Sequence, residues 1–274
     1  MRAICAIAKK EILDGIRNRW IVATTLLLAA LALTLTFLGS APTGSVGASP
    51  LAVTLVSLSS LSILLLPLIA LLLSYDAICG EFDRGTMLLL LSYPVSRSNL
   101  ILGKFVGHLS ILGFSTVIGY GSAAIALAAT GADISGWQSF LSMIGTSVLL
   151  GSAFLALGYL ISASVADRGA AGGLAIGVWL LFVLIYDMAL LGLLVVDQGK
   201  VITAPVLNAF LLFNPADAYR VLNLTGIGGI SQFTGMAGLS QDAALPVAGL
   251  LLALLLWTAV PLAITTLVLK RRQV

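Results

Sequence analysis

Charge is what this chain has least of. Asp, Glu, Lys and Arg make up 9% of its 274 residues, and mean hydropathy is +1.12. A soluble domain carries about a quarter charged residues, so a soluble globular protein is excluded. Histidine is scarcer still: His108 is the only one, and no Ser–His–Asp constellation can be assembled around it. Its place early in an apolar run suits a packed or interfacial imidazole better than a ligand. The two cysteines, Cys5 and Cys79, are far apart and lack metal-ligand spacing, so neither a disulfide nor a zinc site is expected. Met87, Met143, Met188 and Met236 stand singly, with no MxxM or CxxC to pass a soft metal ion along, and no metal site is expected. A phosphate-cradling GxxxxGK[ST] loop is also missing: Gly103-Lys104 runs into Phe105, and Gly199-Lys200 into Val201. By itself the chain makes no convincing enzyme and holds no cofactor.

What is present is long apolar sequence, 59% hydrophobic overall. Runs at about residues 20–38, 51–74, 100–129, 140–162, 171–196 and 245–269 are each long enough to cross a bilayer. The expected fold is all-α and integral to a lipid membrane, a single transmembrane domain over residues 1–274 with six spanning helices. Residues 1–19 read as an amphipathic interfacial helix, with Ile4, Ala8, Ile12, Leu13 and Ile16 on one side and Lys10, Glu11, Asp14 and Arg17 on the other. The run that follows is too long for the core of a signal peptide. Twelve of the 14 basic residues fall on one side of this model, leaving only Lys200 and Arg220 on the other. The positive-inside rule then makes both termini cytoplasmic. Membrane orientation accounts for the basic balance, and nucleic acid is not implied.

The segment 76–104 breaks the apolar pattern between the second and third runs. It gathers Asp76, Glu81, Asp83, Arg84, Arg97 and Lys104, and encloses residues 86–93, about two helical turns started by Gly85-Thr86 and stopped by Pro94. A short helix held outside the bilayer by two spans (insert 76–99) is a part that a cytoplasmic partner can push on. Glu81, Arg97 and Lys104 are expected to make charged contacts with that partner. On the other side, residues 197–244 form the one long segment. Its apolar piece, 201–213, is too short to span, and Asn214-Pro215-Ala216-Asp217 reads as a turn and helix start before Tyr219 and Arg220. This segment is expected to be periplasmic, a platform for an external partner or a lid over a substrate path. Pro67 predicts a kink, its freed carbonyl to be satisfied by Ser57, Ser59, Ser60 or Ser62. Gly103-x-x-x-Gly107 permits close helix contact without specifying the partner helix. Asp187 is the one acidic residue deep in a span. It is either a substrate or gating residue, or hydrogen-bonds a Ser, Thr or Tyr on a neighbouring helix.

The insert resembles that of ABC-2-type transporter permeases in Gly80-Glu81, Gly85-Thr86, Leu90-Leu91, Pro94-Val95-Ser96-Arg97 and Gly103-Lys104, in order and in position between spans. Residues 14–20, 67–78, 102–108, 177–179 and 214–220 are similar, more closely, to the permeases of nitrous oxide reductase maturation systems. The resemblance implies residence in a bacterial inner membrane and a homodimer. It implies that Glu81, Arg84, Gly85, Thr86, Pro94, Arg97 and Lys104 couple to a cytoplasmic NosF-like ATPase, which holds the ATP and magnesium. It implies that Asn214, Pro215, Asp217, Tyr219 and Arg220 meet a periplasmic NosD-like β-helical protein, in the service of sulfur or copper supply to the reductase. The scattered methionines favour mechanical work on the periplasmic partner over metal conduction. Two alternatives remain: an ABC-2 exporter of another small molecule or lipid, and a proton-driven secondary transporter working through Asp187.

Overall fold

The computed structural model describes residues 2–17, 19–38, 50–93, 95–130, 137–197, 202–224 and 245–271. Pro94 lies outside them. Every regular element in the described residues is a helix: α1 (Arg2–Arg17), α2 (Trp20–Leu38), α3 (Pro50–Ser74), α4 (Cys79–Asp83), α5 (Thr86–Ser92), α6 (Arg97–Ala129), α7 (Trp137–Ser164), α8 (Arg168–Leu180), a π-helical turn (Leu181–Ile185), α9 (Tyr186–Asp197), α10 (Ala204–Leu212), α11 (Pro215–Leu224) and α12 (Val247–Arg271). Five stretches are long and apolar enough to cross a membrane: Leu51–Asp83, Arg97–Ala129, Trp137–Ser164, Arg168–Asp197 and Val247–Arg271. The pair Ala3–Arg17 and Ile21–Phe37, bent by 69° at its break, is a sixth when the two helices are counted as one span. At 1.5 Å per residue the 33-residue α6 runs to about 50 Å, longer than the hydrocarbon it must cross, so one end stands outside.

Helices α3, α6 and α7 form the centre. α7 packs on α3 and α12, while α6 carries α2 along one part of its length and α1 along another. Glycine makes the α1–α6 seam possible. A Cβ at Gly107 would lie 2.6 Å from Cβ of Glu11, and one at Gly103 2.7 Å from Cβ of Ile7. The GxxxG pair therefore seats α1 of the same chain. The middle of the bundle is pinned by hydroxyls: Ser62 Oγ to Tyr120 Oη at 2.7 Å, Ser62 to Ser147 at 3.2 Å, and Ser147 to Tyr219 Oη at 2.8 Å. In an apolar surround each hydroxyl must find a partner among the others.

The expectation that Ser60 or Ser62 satisfies the carbonyl freed by Pro67 is corrected. α3 continues through Pro67 as one helix, and Ser60 and Ser62 bond back to the carbonyls of Val56 and Leu58. The carbonyl of Leu64, beside the one that Pro67 frees, instead accepts from the indole of Trp179 on α8 at 2.9 Å. The fifth span also differs from a plain helix. Its π turn widens one loop of backbone and leaves a carbonyl short of its usual partner, a break that apolar composition does not announce.

Candidate functional site

Two ion networks lie in opposite halves of the bundle. The first is at the end where Lys10, Arg84, Arg97, Lys104, Arg168 and Arg271 gather. Its centre is Lys104, 4% exposed, whose ammonium donates to Glu11 Oε1 at 2.8 Å and to Glu81 Oε1 at 2.9 Å. Glu11 comes from α1, Glu81 from α4 and Lys104 from α6, so three elements are tied by one cation. Lys10, at the rim, adds a second cation at 3.3 Å from Glu11 and 3.9 Å from Glu81, and reaches Asp14 at 3.3 Å. Glu11 Oε2 faces His108 Nε2 at 3.4 Å, and His108 Nδ1 meets Tyr159 Oη at 2.8 Å, inside α7. A tautomer with its proton on Nε2 serves both contacts, Tyr159 donating to Nδ1. Burial would raise the Glu11 carboxyl, but the bond to His108 and the charge of Lys104 outweigh it and hold Glu11 well below the usual carboxylate range.

The chain of contacts continues outward to α5. The hydroxyl of Thr86, the first residue of α5, donates to the Glu81 carboxylate. Gly85 precedes it at φ +70°, a left-handed conformation that a side chain would strain, and this lets α4 and α5 meet at a sharp corner. Arg168, at the start of α8, donates to the carbonyl of Gly80 at 3.0 Å and pairs with Asp83 at 3.4 Å, so the α7–α8 turn also braces α4. Ser96 caps α6 by accepting from the amide of Asn99 at 3.2 Å, and Arg97 donates to the carbonyl of Leu269 in the last turn of α12. A cavity of about 570 Å³ opens between α1 and α5, with Lys10, Asp14, Asp76 and Arg84 on its wall.

These positions correct the expected docking charges. Glu81 and Lys104 are buried and neutralise each other, and Arg97 is turned to α12. Of the residues expected to couple, Arg84 and Gly85 are exposed. The exposed surface of α5 is apolar instead, with Leu88 63%, Leu89 66% and Tyr93 67% exposed while Met87 is buried on the opposite side. Sequence reasoning passed over these three because apolar residues in an apolar chain carry no signal. Their place beside a charged insert was the clue.

The second network joins the broken span to the short helices α10 and α11. Asn214 caps α11 by accepting from the amide of Ala216 at 3.0 Å. Its amide donates to the carbonyl of Phe182, inside the π turn, and to Asp217 Oδ2, both at 2.9 Å. Arg220 donates to Asp217 Oδ1 and to Asp187 Oδ2, the latter at 2.5 Å. Tyr186 donates to the carbonyl of Phe210 at 2.7 Å, and the Trp257 ring lies 5.3 Å from Phe182 and 6.1 Å from Phe213. Asp187 thus has a partner, but it is a guanidinium and not the Ser, Thr or Tyr expected. Arg220 is no loop charge on the outer side. Asn214, Asp217 and Tyr219 are 0% exposed, and Pro215 is buried with them. The residues expected to meet a periplasmic protein are turned into the bundle against α3, α7 and α12.

The family model for the ABC-2 family transporter protein matches residues 5–274. The chain belongs to the ABC-2 transporter family. Two relatives of this ABC-2 permease match along their whole length. A probable ABC transporter permease protein NosY of Stutzerimonas stutzeri is 44% identical over 275 residues, covering 99% of each chain. A protein of the same description from Pseudomonas aeruginosa is 43% identical over 277 residues, covering 100% of each.

Proposed function

We propose that this permease is the membrane subunit of a NosY-type ABC transporter, driven through α5 by a cytoplasmic NosF-like ATPase. The observation that carries the reading is the apolar patch of Leu88, Leu89 and Tyr93, held over a continuous line of contacts: Thr86, Glu81, Lys104, Glu11, His108 and Tyr159. A push on α5 reaches α1, α6 and the C-terminal part of α7 through bonded groups rather than through slack side chains. The cavity beside α5 gives the short helix room to rock. The basic end is cytoplasmic by the positive-inside rule, both termini included. A second copy of the chain completes the pathway or lever, and a NosD-like periplasmic protein receives the motion during assembly of the copper centre of nitrous oxide reductase. The ATPase holds ATP and magnesium, and this chain turns over no substrate chemically.

The test is co-expression of the tagged permease with a NosF-like ATPase. Leu88→Asp together with Leu89→Asp should abolish co-purification and coupled hydrolysis while the unfolding midpoint in detergent stays put, because both side chains are exposed. Undiminished association and coupling in that variant would sink the assignment of α5.

A further inference from the structure

Asp187, Asp217 and Arg220 do not balance. Arg220 faces both carboxylates, and two negative groups on one cation leave a residual charge in an enclosed place. The oxygens are not equivalent. Asp187 Oδ2 and both oxygens of Asp217 accept hydrogen bonds, from Arg220 and Asn214. Asp187 Oδ1 is buried and has no donor, and Arg220 holds the Asp187 and Asp217 carboxyls side by side on one guanidinium. Two carboxylates held on one cation in an enclosed place, one of their oxygens without a donor, are relieved of their repulsion by a shared proton. Burial, against the opposing pull of Arg220, raises the Asp217 carboxyl well above the ordinary carboxylate range.

Among the described residues, the tyrosines beside the cluster are engaged elsewhere. From the broken span comes Tyr186, bonded to the Phe210 carbonyl, and from α11 comes Tyr219, bonded to Ser147 of α7, which Ser62 of α3 links in turn to Tyr120 of α6. The Asp187 side chain remains 21% exposed, so a proton has a way in and out.

We propose that Asp187 and Asp217 hold a single proton between them, and that this proton clasps the α10–α11 hairpin to the broken fifth span. Taken from solvent, the proton bonds to Asp187 Oδ1 and is donated to Asp217, giving one carboxylic acid, one carboxylate and one guanidinium, a neutral set. Its return to solvent leaves two adjacent carboxylates on one arginine. Their repulsion opens the contact that Asn214 makes with the π turn. The clasp is thus a proton-binding site set where the span is already broken, and it works whatever the ATPase or cargo.

The experiment uses the full chain in lipid nanodiscs, titrated between about pH 5 and pH 9. Infrared difference spectra should show one carboxylic-acid C=O band that titrates above the usual carboxylate range and disappears in both Asp187→Asn and Asp217→Asn. Amide hydrogen exchange of residues 204–224, corrected for the intrinsic rate, should lose about tenfold protection for each pH unit above the midpoint, as release of one proton requires. Either Asn variant supplies a permanent donor in place of the proton, so its hairpin should stay protected with no pH dependence. If one variant fails to fold, the other carries the test. A missing acid band, a flat wild-type exchange profile, or a wild-type pH dependence retained in a folded Asn variant would each overturn the proposal.

Discussion

Both ion networks set two buried carboxylates against cations, Glu against Lys in one and Asp against Arg in the other, and they differ in one count. At the basic end the two buried carboxylates, Glu11 and Glu81, meet Lys104 with Lys10 beside it, while Asp14, the third carboxylate on Lys10, stands 43% exposed at the solvent rim, so the buried carboxylates and the ammoniums match. In the other half Asp187 and Asp217 share Arg220 alone. A matched set has no state to change into near neutral pH, and under the proposed function it serves as a strut that carries displacement from α5 toward α7. An unmatched set must take up a proton or strain, so it has two states. Sign and number of charges, more than distance, separate the proposed strut from the proposed switch.

The largest expected effect is removal of the shared cation at the matched site. Lys104→Met leaves two carboxylates facing one another in a buried seam, and should cost about 3–5 kcal/mol in unfolding free energy. Adding Glu11→Gln and Glu81→Gln should return a good part of that loss, since the uncompensated charges go with it. If the triple variant is as unstable as Lys104→Met alone, Lys104 matters for packing and the strut reading weakens.

Neutralising a single carboxylate separates the networks next. Glu81→Gln unbalances the matched set and removes an acceptor used by Lys104 and Thr86, so about 1–3 kcal/mol should be lost. Asp217→Asn corrects the unmatched set, and at or above neutral pH it should cost less than about 0.5 kcal/mol or stabilise. Equal losses in a denaturant series would break the comparison.

The pH dependence should then carry opposite signs at the two sites. The Glu11 carboxyl is held low in the folded chain, so its contribution is present above the unfolded value and is lost as pH falls through the folded one. The Asp217 carboxyl is held high, so its contribution is present below the unfolded value and is lost as pH rises through the folded one. Stability against pH should therefore fall on both flanks. Glu11→Gln should flatten the acid flank alone and Asp217→Asn the alkaline flank alone, as read from unfolding midpoints across the range.

How far the sequence reaches depends on whether a feature is periodic or relational. Six spans, the bend before Trp20, the short helix after Gly85 and the helix start at Pro215 all follow from run length and from punctuation by glycine and proline. The partners of Lys104, Arg97 and Asp187 do not, because each is bonded to a residue at least 23 positions away. Linear distance hides such pairs, and a charge beside an apolar run reads as exposed until the fold closes over it. The π turn was hidden for another reason: Leu181–Ile185 is uniformly apolar, and only the amide of Asn214, reaching its Phe182 carbonyl, marks the break.

The smallest effect is the most telling for the strut. Thr86 donates to Glu81 from the first turn of α5, and it is the one described hydrogen-bonded step that carries α5 into the network. Thr86→Val keeps the shape and deletes the hydroxyl, at a cost of about 1 kcal/mol. The α5 surface is untouched, so the ATPase should bind as before. Hydrolysis should nevertheless lose its dependence on the permease, because the stroke stops at the Gly85 corner instead of reaching Lys104. Thr86→Ser, which restores the donor, should restore coupling. Were Thr86→Val fully coupled, the motion would have to pass through the packing of Met87 against the bundle, and the charged seam would be a fastening without a part in transmission.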